Sequence, residues 1–243
     1  MEIIKSKNKK NVLVSVIVPT FNGEFFLNEC LSSIKNQTAR NYEVIVSDAN
    51  SEDSTIKIAK KYADKIVSSK KRGVAYQQNN GIKVAEGDVL VFVHQDVALA
   101  PNYLECAIDA INRGYVMGKS ISIANGNSIV LKKYSEIDNL IDNTASKFNF
   151  LTGMTHFFIK KDLLIKNKFR QELYWDLDMI KRIRKFGKIC FLKNTYAKNL
   201  DFIYEDGRNL VLTRGKKISF WKIIAVRYIL FGTLSLIGFK LKH

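Results

Sequence analysis

The chain contains 243 residues, of which 47% are hydrophobic and 26% are charged, with only 2 prolines. This composition argues against a disordered chain, a collagen-like repeat and a Pro-rich linker, and the length is enough for one domain with a sizeable core. The 3 cysteines form no CxxC pair. They therefore indicate free buried thiols in a reducing, cytoplasmic compartment rather than a disulfide scaffold or a thiolate metal site.

The net charge of +16 is concentrated in the last third of the chain. Residues 11–150 carry 15 basic and 15 acidic side chains, whereas residues 151–243 carry 20 basic and 7 acidic ones. A neutral body followed by a basic third indicates a surface for an anionic partner, which is nucleic acid, anionic lipid or a phosphorylated substrate.

The first half of the chain alternates between short apolar runs and segments with helical spacing. The runs predict strands over residues 12–18, 42–47, 65–68 and 89–93. The spacing predicts helices over 25–34, 73–85 and 101–112, and a further helix after Ser51, which is placed to cap it. This alternation predicts right-handed βαβ units, hence an α/β fold with a mostly parallel sheet covered by helices on both faces.

The second half is less regular. Its patterns predict a strand over residues 115–124, a helix over 129–148, a strand over 155–160 and a helix over 176–186 that stops at Gly187.

The C-terminal segment is apolar but interrupted by charge. Residues 218–239 contain Lys222 and Arg227, and the uncharged part, 228–239, is 12 residues long. This is short of the ~20 residues that a spanning helix needs. The segment therefore predicts a basic, helical appendage in the membrane interface. We accordingly divide the chain into a basic tail (1–11), one domain (12–215) and an interfacial segment (216–243).

Polar residues follow three of the predicted strands. They are Pro19-Thr20-Phe21-Asn22, Asp48-Ala49-Asn50 and His94-Gln95-Asp96. In parallel sheets, ligands bind outside the carboxyl ends of the strands. The spacing alone therefore predicts a site for a nucleotide or a phosphate compound.

Four stretches of the sequence occur in the order found in one enzyme family. They read VSVIVPTFN, VIVSDANSEDST, KRGVAYQQNNGIKVAEGDVLVFVHQD and WDLDMIKRIRKFGKI. Over about residues 12–235 the chain resembles the family 2 glycosyltransferases, which have the Rossmann-like GT-A fold with a nucleotide-binding sheet. The FVHQD stretch resembles a branch in which His replaces the first acid of the usual Asp-x-Asp triplet.

The resemblance implies a donor site at these strand ends. Pro19, Thr20 and Phe21 match positions that shape the pocket of the nucleotide base, and Asp48 matches the acid that accepts a hydrogen bond from the base. The alternative is that Asp48 caps the following turn and Phe21 belongs to the core. The resemblance also places four further side chains on the donor, although surface charges are commonly only solvated: Arg72, Gln95, Arg208 and Arg214.

The resemblance further implies a divalent cation, Mg²⁺ or Mn²⁺, held by Asp96 and His94. The pattern offers one carboxylate where the family triplet has two, so the cation would depend more on phosphate oxygens and water. The alternative for His94 is a purely structural histidine at a strand end.

Asp176 matches the family's catalytic base, and Trp175, before it, suggests an aromatic wall beside the acceptor. The alternative is that Asp176 caps the helix that begins there and that Asp178 pairs with Arg182.

Together these features imply an inverting glycosyltransferase that moves a sugar from a nucleotide-sugar donor to a sugar, lipid-linked or other hydroxyl acceptor. We expect a peripheral protein at the cytoplasmic face of an anionic membrane. One alternative is a catalytically silent binding subunit, because the triplet has one acid where the family has two. A second alternative is a nucleic-acid-binding protein, against which stand the strand-end acids and the lack of a known binding motif.

Overall fold

The computed structural model describes residues 12–125, 129–151, 154–170, 175–200, 203–205, 210–213 and 216–219. The strands, in chain order, are β1 (Val14–Thr20), β2 (Tyr42–Asp48), β3 (Lys65–Ser68), β4 (Val89–Val93), β5 (Val97–Leu99), β6 (Met117–Ala124), β7 (His156–Lys160), β8 (Ile189–Asn199), β9 (Ile203–Glu205), β10 (Leu210–Thr213) and β11 (Lys216–Ser219). The helices are α1 (Leu27–Lys35), α2 (Thr55–Ala59), α3 (Val74–Val84), α4 (Tyr103–Asn112), α5 (Ile129–Lys147), α6 (Lys161–Lys166) and α7 (Trp175–Ile183).

The main sheet has the strand order β3-β2-β1-β4-β7-β6-β8-β5. Its first four strands are parallel, as the βαβ alternation of the sequence predicts. Beyond β4 the sheet is mixed, because β7 runs antiparallel to β4 and β6, β5 runs antiparallel to β8, and β6 and β8 are parallel. The prediction of a mostly parallel sheet therefore holds for the first half only.

Each face of the sheet carries its own apolar core. Along β1, Val14, Val16 and Val18 point to one core, and Ile17 points to the other, as expected from the two-residue period of a strand. Buried residues of α1, α2 and α4 complete the first core, and buried residues of α3, α6 and α7 complete the second. The predicted cover of helices on both faces is confirmed for this part of the chain.

Two local features shape the helices beside the strand ends. Helix α1 buries Leu27, Cys30, Leu31 and Ile34, which lie on one face at the spacing of an amphipathic helix. Helix α3 follows Gly73, whose φ of 135° is rarely adopted by residues with a side chain. This glycine turns the chain from the basic loop of residues 70–72 into the helix.

Three short strands form a separate antiparallel sheet with the order β11-β10-β9. Residues Lys216–Ser219 are therefore a strand and not the start of a helix, because they pair with Leu210–Thr213. The remainder of the predicted interfacial segment, residues 220–243, lies outside the described residues. Within the part of the chain that the structure describes, no helix is long and apolar enough to cross a bilayer.

Candidate functional site

The register of the parallel strands brings the polar strand ends together. Thr20 at the end of β1 lies opposite Asp48 at the end of β2. On the other side of β1, Ile17 lies opposite Phe92, two residues before His94. The three polar groups that the sequence singled out therefore lie at the same edge of the sheet.

Asp48 is buried at this edge and holds the turn that follows β2. Its exposed fraction is 2%, and its Oδ1 accepts hydrogen bonds from the hydroxyls of Thr20 at 2.8 Å and Ser51 at 2.6 Å. Its Oδ2 accepts a bond from the Ser51 amide at 2.8 Å. The prediction that Ser51 caps a helix is wrong, since α2 begins only at Thr55 and the Ser51 side chain binds Asp48 instead.

The turn-capping alternative for Asp48 is thus realised, yet it leaves room for a ligand. A carboxylate offers about four lone-pair positions. Partners among the described residues occupy three of them, which leaves one for an additional donor such as a ring N–H.

Gln95 binds the backbone of Phe21 with both ends of its side-chain amide. Its Oε1 accepts a bond from the Phe21 amide at 2.9 Å, and its Nε2 donates to the Phe21 carbonyl at 3.2 Å. Gly23 leaves the space for this arrangement, because a Cβ there would collide with Oε1. The Gln95 amide thus positions the loop that carries Phe21, and its contact with the donor stays a prediction.

Phe21 is half-buried, and the guanidinium of Arg72 lies over its ring, 4.3 Å from the centroid. Arg72 itself is exposed, so the contact is a surface cation–π pair. The structure thus places Arg72 on the ring that the resemblance assigns to the base, and its contact with the donor stays a prediction. Pro19, one residue before Thr20, is buried within β1.

The segment His94-Gln95-Asp96 forms the tight turn between β4 and β5. Its backbone is held by bonds from the His94 amide to the Thr155 carbonyl at 2.9 Å and from the Leu200 amide to the Asp96 carbonyl at 2.7 Å. His94 is half-buried, and Asp96 has an exposed fraction of 6%. The turn is therefore held at both ends by backbone hydrogen bonds, and its two potential ligands lie at the strand-end edge.

Asp96 also affects the thiol behind the turn. The Cys30 Sγ donates to the His94 carbonyl at 3.5 Å. Burial raises the pKa of Cys30 far above its ordinary value, and the negative charge of Asp96 raises it further. Burial therefore favours the neutral thiol of Cys30.

The side chains of the turn supply only part of the ligands that a hard cation needs. Among the described residues, no group of three or more His, Cys, Asp or Glu side chains is arranged to hold a metal ion. Magnesium-type ions, however, are commonly bound by one or two carboxylates, with waters and substrate phosphates as the other ligands. Asp96 and His94 fit a cation of this kind, which would share its coordination with the substrate.

Asp176 and Trp175 lie in the first turn of α7, so the helix begins one residue earlier than predicted and ends at Ile183. Asp176 Oδ1 accepts a bond from the adjacent Leu177 amide at 2.9 Å. Asp176 is thus inside the helix rather than its N-cap. The predicted pair of Asp178 and Arg182 is present, with Oδ2 and the guanidinium 2.8 Å apart.

A chain of aromatic contacts connects the start of α7 with the end of β4. The ring of Trp175 packs edge-on against Phe169 at 5.5 Å, and Phe169 packs edge-on against Phe92 at 5.3 Å. Phe92 precedes the turn of His94 by two residues. Two other predicted donor residues, Arg208 and Arg214, lie outside the described residues.

A buried polar group beside the turn was missed at the level of sequence. His156 on β7 is fully buried, and its ring lies near the Ser120 hydroxyl at 3.2 Å. Burial lowers the pKa of His156 to about 3, helped by the positive charge of Lys119. Lys119 and Asp142 are also fully buried and form an ion pair at 2.5 Å. The available signal for the ion pair was the recurrence of Ser135, Asn139 and Asp142 at helical spacing along α5.

Comparison with known proteins agrees with this architecture. The model of the family described as glycosyl transferase family 2 matches residues 15–173. The GalNAc(5)-diNAcBac-PP-undecaprenol beta-1,3-glucosyltransferase of Campylobacter jejuni is 33% identical over 174 residues, which cover 66% of this chain and 56% of that protein. The cholesterol galactosyltransferase of Borreliella burgdorferi is 24% identical over 245 residues, covering 90% of this chain and 67% of that protein.

Solved structures show the same fold. The mannosyltransferase PcManGT from Pyrobaculum calidifontis, solved in complex with GDP-Man and Mn²⁺, has a TM-score of 0.70 at 18% identity, covering 96% of this chain and 66% of that chain. The mixed sheet with its helices is thus the GT-A-like fold that the sequence motifs predict. The chain spans little more than half the length of the Campylobacter jejuni relative. Because the family model matches more than half of its residues, the chain belongs to glycosyl transferase family 2.

Proposed function

We propose that this chain is an inverting glycosyltransferase that moves a sugar from a nucleotide-sugar donor to an acceptor hydroxyl. The observation that carries the proposal is the register of β1, β2 and β4, which gathers Thr20, Asp48 and the turn of His94 at one sheet edge. Nucleotides bind at this edge in open α/β sheets. Family membership supports glycosyl transfer as the reaction class.

The donor base is proposed to lie against Phe21, with a ring N–H donating to the lone-pair position of Asp48 that its protein partners leave unused. A base that stacks on Phe21 competes with Arg72 for the same ring. We therefore propose that Arg72 leaves the ring when the donor binds and that its guanidinium contacts the diphosphate. Arg208 and Arg214 are proposed to add positive charge there.

Asp96 and His94 are proposed to hold Mg²⁺ or Mn²⁺ together with the phosphates. The cation, when bound, would neutralise charge on the departing diphosphate. Support comes from the chemistry of the two side chains and from the Mn²⁺ in structural neighbours such as PcManGT. We place the chain in a branch of the family in which His94 stands where the first acid of the triplet otherwise is.

Asp176 is proposed to accept the proton of the acceptor hydroxyl. The hydroxyl oxygen then bonds to the anomeric carbon while the bond from that carbon to the diphosphate oxygen breaks on the opposite face, which inverts the configuration. The nucleoside diphosphate leaves with the electron pair of that bond. Trp175, which packs against Phe169, is proposed to line the acceptor side of the site.

The acceptor is proposed to be lipid-linked, with the protein attached to the cytoplasmic face of an anionic membrane. Two relatives are named for undecaprenol and cholesterol, both membrane lipids. The basic last third, including the segment 216–243, supports contact with an anionic surface. We propose no nucleic-acid partner. In the absence of a bound cation, the acidic side chains at the strand ends would repel the phosphate backbone of a nucleic acid.

A thermal-shift panel tests the donor site. UDP-, GDP- and dTDP-sugars are added with and without Mn²⁺, and the matching donor is expected to raise the melting temperature by about 5–10 °C at 100 times its Kd. Asp96→Asn should abolish the part of the shift that needs Mn²⁺. Asp88→Asn is the matched control, because Asp88 is an exposed acid that directly precedes β4, whereas Asp96 lies in the turn after β4. If the Mn²⁺-dependent shift of the Asp96→Asn variant equals that of the wild type, Asp96 is not part of the metal site.

A second candidate is a binding subunit without turnover. It is favoured by the single carboxylate of the turn and by the three hydrogen bonds that Asp48 makes within the protein. Both candidates predict a thermal shift with a nucleotide sugar. Release of nucleoside diphosphate separates them, because only an enzyme produces it.

A further inference from the structure

Helix α5 turns its polar side toward the sheet. Ser135, Asn139 and Asp142 lie on one stripe of the helix, four and three residues apart, and this stripe faces β6. The Ser135 Oγ accepts a bond from the Ala124 amide at 3.0 Å. The Asn139 side chain bonds the amide and the carbonyl of Ser122, both at 2.8 Å.

These bonds fix the rotation of α5. Asp142, on the same stripe, is completely buried and paired with Lys119. Turning the helix about its axis would strand this buried charge and several backbone groups of β6, which is strongly unfavourable. The apolar residues on the other side of α5 therefore cannot turn into the core.

The outer side of α5 exposes apolar residues among charged ones. Ile137 has an exposed fraction of 51% and Leu140 of 63%, and Phe148, just after the helix, of 73%. Asn149 connects this end of α5 to the turn after α7, because its Nδ2 donates to the carbonyls of Arg184 and Gly187, both at 3.0 Å. That turn carries a further exposed aromatic residue. We call the four apolar residues the α5 surface: Ile137, Leu140, Phe148 and Phe186.

Basic side chains are exposed on the same helix and turn as the α5 surface. The exposed cations of α5 and of the connected turn are Lys132, Lys133, Lys147, Arg184, Lys185 and Lys188. Among the described side chains of α5, Glu136 is the only exposed acidic one. Apolar side chains surrounded by lysine and arginine are typical of surfaces that lie in the interface of an anionic bilayer.

We propose that the α5 surface is a membrane-binding site whose partner is an anionic lipid bilayer. Its apolar residues enter the boundary between headgroups and acyl chains, and its cations contact lipid phosphates or carboxylates. The site is separate in sequence from the segment 216–243. The inference does not depend on sugar transfer, because it follows from the orientation of α5 and the charges around it.

Flotation of the full-length chain with vesicles tests the proposal. The vesicles contain either phosphatidylcholine alone or phosphatidylcholine with phosphatidylglycerol, at low and high salt. Lys132→Gln with Lys133→Gln should weaken binding to the anionic vesicles about 30-fold, because each basic residue near such a surface contributes roughly fivefold. Lys60→Gln with Lys61→Gln is the matched control, since these are also two adjacent exposed lysines at a helix, and it should stay within about twofold of the wild type.

A second pair of variants tests the apolar contact. Leu140→Ser should weaken binding to anionic vesicles on the order of tenfold, whereas Ile66→Ser, at an exposed position of β3 at the far edge of the sheet, should not. Because both positions are exposed, both variants should fold, which the melting temperature verifies.

Three results would overturn the proposal. Equal losses in the two lysine pairs would mean that binding depends on total charge alone. A Leu140→Ser variant that binds vesicles normally but melts several degrees lower would show that the chain itself covers this surface. A Leu140→Ser variant that binds vesicles normally but converts a dimer to a monomer in sedimentation would show that a second copy does.

Discussion

Gln95 and Phe21 are joined by two hydrogen bonds that use both ends of one side-chain amide. Gln95 Oε1 accepts from the Phe21 amide at 2.9 Å, and Gln95 Nε2 donates to the Phe21 carbonyl at 3.2 Å. A residue in the turn after β4 thereby fixes an aromatic residue at the end of the neighbouring strand. The proposed metal-binding turn and the proposed base pocket are thus parts of one hydrogen-bonded unit.

The first prediction concerns this unit. Gln95→Ala removes both bonds, and we expect a loss of about 1 kcal/mol in the free energy of unfolding, together with an increase in the KM for the donor on the order of tenfold. The kcat should change less, because Gln95 is not expected to touch the reacting atoms. Steady-state kinetics and urea unfolding provide the two readouts. An unchanged KM with reduced stability would make Gln95 a structural residue without influence on the donor.

The second prediction separates the two roles of Asp48. Ser51→Ala removes the hydroxyl that bonds Asp48 at 2.6 Å but keeps the carboxylate. It should reduce the free energy of unfolding by about 0.5–1.5 kcal/mol and leave nucleotide affinity within roughly threefold. Asp48→Ala should weaken nucleotide binding at least roughly tenfold. Calorimetric titration measures both, and equal affinity losses in the two variants would reduce Asp48 to a support of the turn.

The third prediction concerns the base. Asp176→Asn keeps the size of the side chain and its capacity to accept a bond from Leu177, but it removes the basic carboxylate. We expect near-normal folding and a loss in kcat of about 10²–10⁴-fold. Asp162→Asn is the control, because Asp162 is an exposed acid in the first turn of α6. Full activity of Asp176→Asn would refute its role as base.

The fourth prediction concerns the buried ion pair of Lys119 and Asp142. Asp142→Asn leaves the Lys119 charge buried without its full counter-charge, so we expect a loss of about 3–5 kcal/mol in the free energy of unfolding. The double variant Lys119→Met with Asp142→Leu removes both charges and should be less destabilised than the single one. Urea denaturation compares them. A double variant less stable than Asp142→Asn would contradict this account of the pair.

The fifth prediction is a pH dependence from His156. Burial and Lys119 lower its pKa in the folded state to about 3, below the ordinary value of 6.5. The unfolded chain therefore binds the additional proton between these two values, and the stability that the neutral ring provides is complete above pH 6.5 and lost progressively as the pH falls toward 3. Between pH 7 and pH 5 the free energy of unfolding should decrease by about 2 kcal/mol.

His156→Gln provides the comparison for the pH effect. It removes the titrating group and keeps a polar side chain, so its free energy of unfolding should change much less over the same interval. If the wild type and this variant lose stability equally between pH 7 and pH 5, another group is responsible.

The sequence predicted the first half of the fold well because buried parallel strands are continuous apolar runs. The runs that end before Phe21, Asp48 and His94 became β1, β2 and β4 with small shifts at their ends. Strands β5 and β8 were missed. Strand β5 has three residues, and β8 alternates irregularly between buried and exposed positions, so neither has a clear period.

The positions of the candidate residues were easier to predict than their contacts. A strand end can be read from the sequence, and Asp48 and His94 were placed correctly. The bonds of the Gln95 amide to the backbone of Phe21, by contrast, were not predicted, because the two residues lie 74 positions apart in the sequence. The orientation of α5 could not be predicted for a similar reason, because the role of its polar stripe depends on the buried Lys119 on β6.

The most direct test of the central claim is the release of nucleoside diphosphate from a matching sugar nucleotide in the presence of Mn²⁺ and a lipid-linked hydroxyl acceptor. The wild type and Asp88→Asn should release it at equal rates, whereas Asp96→Asn and Asp176→Asn should each be slower on the order of 10²-fold or more. The anomeric configuration of the product should be opposite to that of the donor. A donor that binds at the strand-end edge without any release of nucleoside diphosphate, or a product that retains the configuration, would contradict the account.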